Sequence, residues 1–326
     1  MNLKEEVLHR LRESGGYLSG EELSRLLGVS RTAIWKNINA LREAGYEIES
    51  STNRGYRLLA SPDVLTAEEI SAGLTTRILA QTIYRYESID STNQEAKRQA
   101  LRGAPNGSLF LAEEQTGGKG RLGRGWSSPA GEGLWFSLLL RPEFLPEQVT
   151  LLTLLAGLSV CGAIRCQTGC PAMIKWPNDI VIGSRKVCGI LTEMSAEMDR
   201  VEYVVLGIGI NVNTQSFPDE IQSKATSLRM ETGKAASRAA LLREILAELE
   251  QRIQAARAGE TNSLLEEYKQ LCVSLNRQVG FTRKGQAMTG TAVDITPDGE
   301  LLVRCGEELI PVFSGEVTVQ GIYEEK

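Results

Sequence analysis

The seven residues Val204–Ile210, VVLGIGI, include no side chain that can hydrogen bond. A run of this length and composition reads as a strand buried on both faces, at the centre of a sheet. Gly207 and Gly209 within it leave the backbone open to close approach by another group. Further strands are expected over Ile83–Ser88, Ser108–Glu113, Leu134–Leu140, Ala172–Lys175, Ile180–Ile182 and Val187–Glu193, with Val201–Asn211 holding the apolar run. Helices are expected over Ala67–Leu79, capped by Thr66, over Gln94–Leu101, opened by Ser91-Thr92-Asn93, and over the apolar stretch Val149–Ile164. Strands alternating with helices imply a mixed sheet with helices on one face, filling residues 63–275.

A chain of 326 residues exceeds one ordinary domain, and both ends read differently from the middle. In residues 1–62, Ser19–Lys36 has the pattern of a helix-turn-helix. Leu23 and Leu27 point inward, Gly28 ends the first helix in a left-handed turn, Val29 fills the corner and Ser30 caps the next helix. From Arg31 to Arg42 there are three cations and no acid. An exposed face of Ser30, Arg31, Thr32, Trp35 and Lys36 suits a recognition helix in a major groove. Gly45–Leu59 reads as a wing, whose tip residue Arg54 could reach a phosphate or the minor groove. The competing reading is a three-helix bundle for protein contacts. Residues 276–326 offer only short strands (278–282, 288–294, 301–304, 308–313 and 316–321), which fits a small SH3-like barrel. The fold class is therefore α+β: a winged helix-turn-helix, a mixed-sheet domain with helices packed on it, and a β-barrel.

The net charge of −5 argues against general nucleic-acid stickiness while leaving room for a small DNA-reading module. No unbroken apolar run is long enough to span a bilayer, and the first residues lack the order of a signal peptide, so a cytoplasmic protein with no membrane partner is expected. The six cysteines include no Cys-x-x-Cys pair and the single histidine, His9, lies far off, which makes zinc ligation a poor reading.

Two segments carry chemistry. Gln115–Trp126, QTGGKGRLGRGW, sets glycines 117, 118, 120 and 123 among Lys119, Arg121 and Arg124. Glycines let backbone amides approach an anion and the cations neutralise it, so the loop should order around a phosphate. It is neither a dinucleotide fingerprint nor a P-loop: no apolar helix follows, and no Gly-Lys-Ser/Thr ends it. Lys175-Trp176-Pro177-Asn178-Asp179 lies between apolar strands, and Pro177 should push its polar neighbours out at an edge or bend. Arg185-Lys186 follows after a turn. With no serine–histidine pair and no cysteine beside a base, covalent catalysis lacks a nucleophile. Cations plus a carboxylate favour attack of a substrate carboxylate on the α-phosphate of ATP.

At Ser91-Thr92-Asn93, Gln115 with GGKGRLGR, KWPND, Arg185-Lys186 and Gly207-Ile208-Gly209-Ile210-Asn211 the chain resembles biotin–protein ligases, specifically the bifunctional type that is also the biotin operon repressor. The similarity runs through essentially the whole chain. It implies ATP and Mg²⁺ as cofactors, biotinyl-5′-AMP as intermediate and corepressor, and transfer to a lysine of the biotin carboxyl carrier protein, an acetyl-CoA carboxylase subunit. It also implies operator DNA as a partner and a homodimer formed on corepressor binding. By the same resemblance Ser91, Thr92, Asn93, Gln115, Lys119, Gly120, Arg121 and Lys186 contact biotin. Arg121, Arg124, Trp126, Lys175, Asn178 and Asn211 contact the nucleotide. Arg121, Lys186 and Asp179 are the catalytic groups, with Asp179 positioning Mg²⁺ or the incoming amine. Relatives close over adenine after the GIGIN strand, some through a tryptophan; here Asn213–Leu228 has none, and Ala225-Thr226-Ser227 stands there. The other readings are a pure transcriptional regulator and a lipoate ligase.

Overall fold

The computed structural model describes residues 3–141, 149–197, 200–283, 285–313 and 317–323. They form two compact units, divided after Gly73.

The first unit holds α1 (Leu3–Ser14), α2 (Gly20–Leu27), α3 (Arg31–Glu43), the hairpin β1 (Glu47–Ser51) and β2 (Gly55–Ala60), and α4 (Ala67–Ser71). Val7, Leu8, Leu11, Leu23, Ile34, Ile38 and Leu41 bury at helical spacing and form one core with Ile48 of the wing. The turn follows the expected chemistry. Ser19 Oγ accepts the Glu22 N–H, Gly28 takes φ +66°, and Ser30 Oγ accepts the Ala33 N–H at 3.2 Å. Val29 is half-buried against the core. The helix expected over Ala67–Leu79 is cut short at Ser71, where Gly73, in a left-handed conformation, ends it. Although α4 was expected at the head of the catalytic domain, it belongs to this first unit. Its buried Glu69 accepts from Arg12 Nη2 at 2.6 Å and from the Tyr46 hydroxyl at 2.8 Å.

The second unit is built on a seven-stranded sheet. Its strands are β3 (Ile83–Ile89), β4 (Ser108–Gln115), β5 (Gly133–Leu140), β6 (Ala172–Lys175), β7 (Asp179–Ile182), β8 (Arg185–Glu197) and β9 (Arg200–Asn211). The spatial order is β3-β4-β5-β9-β8-β7-β6; only β3 and β4 are parallel. β9 lies between β5 and β8, and Val204–Leu206 are fully buried, as the apolar run requires. Helices cover both faces of the sheet, not one. α5 (Thr92–Leu101) packs Ala96 and Ala100 on the face that carries Val205, hence also Gly207 and Gly209. α6 (Val149–Thr168) lies on the opposite face, where Thr153 bonds Thr192, the partner of Leu206. By length and composition α6 could cross a membrane; it packs against the sheet and against α7 (Arg238–Arg257) and α8 (Thr261–Leu271). An antiparallel SH3-like sheet follows: β10 (Gln278–Arg283), β11 (Gln286–Ile295), β12 (Leu301–Cys305), β13 (Glu308–Val312) and β14 (Thr318–Val319). Of the last expected strand, Glu316 lies outside the described residues.

Candidate active site

β9, β8 and β5 supply the floor of a cleft of about 1290 Å³ whose far wall is the C-terminal barrel, through Val279, Gly280, Val317 and Tyr323. The floor is glycine for a steric reason. A Cβ at Gly207 would stand 2.0 Å from Asn93 Oδ1, and one at Gly209 would stand 2.5 Å from Trp126 Nε1. The open backbone on the central strand therefore makes room for two of the protein's own side chains.

At one end, the N-terminus of α5 and the end of β4 form a polar pocket. Gln115 Oε1 accepts from the Thr92 N–H at 2.9 Å and from its hydroxyl at 3.1 Å, and Gln115 Nε2 donates to Ser128 Oγ. The Ser137 hydroxyl lies 2.8 Å from Thr92 Oγ1 and 2.5 Å from Asn93 Oδ1. Asn93 Nδ2 donates to Glu193, which also pairs with Lys97 at 2.6 Å. Ser91 is buried beside them. Asn93 thus orients the pocket through bonds to protein on both its polar atoms.

The cationic loop crosses the cleft as a hydrogen-bonded turn. Trp126 N–H donates to Gly118 O and Gly120 N–H to Arg124 O, with the short 3₁₀ turn Arg121–Gly123 between them. Leu122, in a left-handed conformation, stands 71% exposed at the tip. Lys119 pairs through its backbone with Gly125, and Arg124 is exposed. The loop ends on Trp126, whose ring rests over Gly209 and Gly189, 5.1 Å from Lys186 Nζ.

Arg121 leaves the loop toward the KWPND hairpin, and its Nη1 donates to Asn178 Oδ1 at 2.7 Å. Asn178 is fixed in turn by its own donation to Ile190 O at 2.9 Å. Asp179 opens β7, and its Oδ1 pairs with Lys186 Nζ at 2.6 Å. Arg121, Asn178, Asp179 and Lys186, which the family resemblance names as site residues, meet here in one cluster.

The motif is not pushed outward. Lys175, Asn178 and Asp179 are all buried, as is Trp176, because the hairpin is clamped by the barrel and its approach. Trp176 N–H donates to Ser274 Oγ and Trp176 Nε1 to Gly299 O, both at 3.0 Å, while Pro177 O accepts the Tyr268 hydroxyl. Lys175 Nζ donates to Val317 O at 3.0 Å. Lys175, expected to add charge at the nucleotide, is thus tied to the C-terminal segment. Asn211 Nδ2 similarly donates to Thr226 O and holds the Ala225-Thr226-Ser227 segment, which pairs with the Lys186 backbone.

Ser137, Glu193, Phe217 and Tyr323 were not foreseen. Ser137 left a signal, a lone hydroxyl inside the apolar strand GLWFSLLL. Phe217 is an aromatic lining the cleft from the Asn213–Leu228 segment, which holds no tryptophan. Tyr323 gave none.

In the first unit, Arg31, Thr32, Trp35 and Lys36 stand exposed along one side of α3, Trp35 at 54%. Ser30 is at the cap. Arg54, at the exposed tip of the wing, stacks its guanidinium 4.3 Å from the Tyr17 ring centre.

Residues 86–211 match the model of the biotin/lipoate A/B protein ligase family, residues 4–57 a helix-turn-helix domain, and residues 274–319 the biotin protein ligase C-terminal domain. The chain is 38% identical to the bifunctional ligase/repressor BirA of Bacillus subtilis, over 97% of this chain and 98% of that one. It is 28% identical to BirA of Escherichia coli, over 95% of each. Among solved structures, a biotin protein ligase from Aquifex aeolicus in complex with biotin and ATP aligns with a TM-score of 0.64 at 31% identity. That alignment covers 74% of this chain and 99% of the other.

Proposed function

The chain belongs to the biotin–protein ligase family, in the form that joins a ligase to a repressor, and we propose that one cleft makes both its enzymatic intermediate and its regulatory signal. It is an ATP-dependent biotin ligase with a DNA-binding repressor module. In our reading, biotin enters the polar pocket of Ser91, Thr92 and Gln115, and its carboxylate oxygen attacks the α-phosphorus of ATP. A P–O bond forms, the bond to pyrophosphate breaks, and the electron pair leaves on pyrophosphate. Lys186 and Arg121 supply positive charge where it develops. Lys119 and Gly120 cover the ligand from the loop; Arg124, Trp126 and Phe217 flank the nucleotide.

The second step passes biotin to a lysine amine of the biotin carboxyl carrier protein. Its ammonium gives one proton to Asp179. The nitrogen lone pair then forms the C–N bond to the biotinyl carbonyl, and AMP departs with the C–O electrons. The second proton leaves with AMP. Asp179 fits this role better than that of a metal ligand. One oxygen already faces Lys186 Nζ and the other accepts the Tyr323 hydroxyl at 2.8 Å. Among the described residues no three His, Cys, Asp or Glu converge as a metal site. Mg²⁺ on this reading arrives on ATP's phosphates and belongs to the substrate.

The observation that carries the proposal is the joining of Arg121 to Asn178 beside the Lys186–Asp179 pair. Cations from two distant segments face one ligand space. Arg121→Gly tests it: biotin-dependent ATP–pyrophosphate exchange should stay measurable while biotinyl-5′-AMP escapes into solution. A variant that neither binds biotin nor leaks adenylate refutes the role given to the loop; faster exchange with lipoate than with biotin refutes the substrate. For regulation, we propose a cytoplasmic protein in which the retained adenylate promotes a homodimer on operator half-sites.

A further inference from the structure

Tyr323 reaches Asp179 across 144 positions of sequence. Its hydroxyl donates to Asp179 Oδ2 at 2.8 Å, and its backbone N–H donates to Ser184 O at 3.1 Å, at the turn between β7 and β8. The residue takes φ +66°, and its ring centre lies 5.0 Å from Lys175 Nζ, which itself holds Val317 O. Two independent bonds thus fasten this tyrosine to the hairpin that carries Asp179. Burial first, and then the adjacent carboxylate, push its phenol far above the ordinary value. It remains a donor wherever the enzyme works.

The other oxygen of Asp179 is held by Lys186. A ligand phosphate would compete with Asp179 for the Lys186 ammonium, which loosens the hold on Oδ1 as the first step proceeds. We propose that Tyr323 is a positioning residue for the transfer step, holding Asp179 by Oδ2 while Oδ1 exchanges the Lys186 ammonium for that of the acceptor lysine. The proposal rests on the ligase reading above. It gives the C-terminal barrel a chemical task, because removing the phenol leaves the carboxylate free to rotate once Lys186 has turned away.

Tyr323→Phe tests this by deleting one oxygen while keeping the ring beside Lys175. Two half-reactions are measured on the full chain: biotin-dependent ATP–pyrophosphate exchange, and single-turnover transfer from preformed biotinyl-5′-AMP to a carrier domain. Exchange should stay within about twofold, while the transfer rate at saturating carrier should fall about tenfold, the scale of one hydrogen bond to a charged group. The KM for the carrier should not change. Tyr323→Leu, which also loses the ring, should be no better than Tyr323→Phe in transfer. Unaltered transfer in Tyr323→Phe with a defect only in Tyr323→Leu would reduce the residue to packing and overturn the proposal. An equal fall in both half-reactions would overturn it too, since a general distortion does not select a step. Absence of biotin-dependent exchange in the unaltered chain would sink the ligase reading and this proposal together, whereas intact exchange with unaltered transfer in Tyr323→Phe sinks the proposal alone.

Discussion

The two functional regions of this chain arrange their polar groups in opposite ways. Along α3 the residues that would meet DNA stand exposed, above a core of Ile34, Ile38 and Leu41 that needs nothing from them. In the cleft, Arg121 is held by Asn178, Lys186 by Asp179, Asp179 by Tyr323, and Thr92 by Gln115. A surface that reads a large polyanion benefits from charges that keep their reach until the partner supplies phosphates and base edges. A site that stabilises a short-lived arrangement of charge benefits from groups already held in place. The consequence is testable: substitutions on α3 should act independently, and those in the cleft should couple.

The largest effect is expected at Lys186. Lys186→Ala removes a cation from the ligand space and strips Asp179 of its ionic partner, and biotin-dependent pyrophosphate exchange should fall by about 10³-fold. Combining it with Asp179→Asn should cost far less than the product of the two single losses, because each removes half of one pair. Full multiplicativity in that double variant would dissolve the contrast drawn between the regions.

Next comes Gly207→Ala. The added methyl would meet Asn93 Oδ1 at 2.0 Å, with the rest of that side chain fixed by Ser137 and Glu193. Forcing it in should cost about 1–3 kcal/mol of stability, read as a lower urea midpoint. Biotin affinity should fall with it, because displacing Asn93 loosens the pocket.

What the sequence made legible follows from where each interaction closes. Helix caps, the Gly28 turn and the apolar run of β9 depend on neighbours in sequence, and their residue types declare them. The cationic loop and KWPND could be seen as chemistry because glycine beside arginine, and tryptophan-proline before two polar groups, are poor choices for plain turns. What could not be read was the second set of partners. Lys175 and Asn211 line the cleft, yet each is also tied to protein, Lys175 to Val317 O and Asn211 to Thr226 O. Burial of the KWPND hairpin depends on Ser274, Gly299 and Tyr268, roughly a hundred residues away, which no local pattern reveals. α4 is shorter than its sequence suggests for a simpler reason: Gly73 takes a left-handed conformation, and no helix resumes over residues 74–80.

On α3 the prediction is independence. Arg31→Ala and Lys36→Ala should each weaken operator binding by about tenfold at moderate salt and lower the slope of log affinity against log salt by about one. The double variant should show the product of the affinity losses and the sum of the slope changes. Pyrophosphate exchange should be untouched in all three, because neither residue belongs to the cleft. Coupling between the two would mean that the face is pre-organised after all.

The smallest effect probes a pair that stands between the two kinds. Asp90 precedes the pocket, accepts the Ser91 N–H at 2.7 Å and pairs with Arg98, yet both side chains are about half exposed. The Arg98 guanidinium, working against partial burial, draws the Asp90 carboxyl down to about 2, with the Ser91 N–H adding to the effect. A carboxyl whose folded value is depressed adds stability that is fully present above its unfolded value, about 4, and is lost as pH falls toward the folded one. Arg98 also bonds Glu95, whose carboxyl is lowered on balance: burial opposes the shift, and the bonds from Gln99, Arg98 and Tyr86 outweigh it. Arg98→Met should therefore cost stability at pH 7, and the difference from the unaltered chain should shrink between about pH 4 and pH 2. Solvent screening keeps that difference to about a few tenths of a kcal/mol. Urea midpoints of both proteins across that range measure it, and a gap that stays constant down to pH 2 would place Asp90 with the exposed, independent charges of α3.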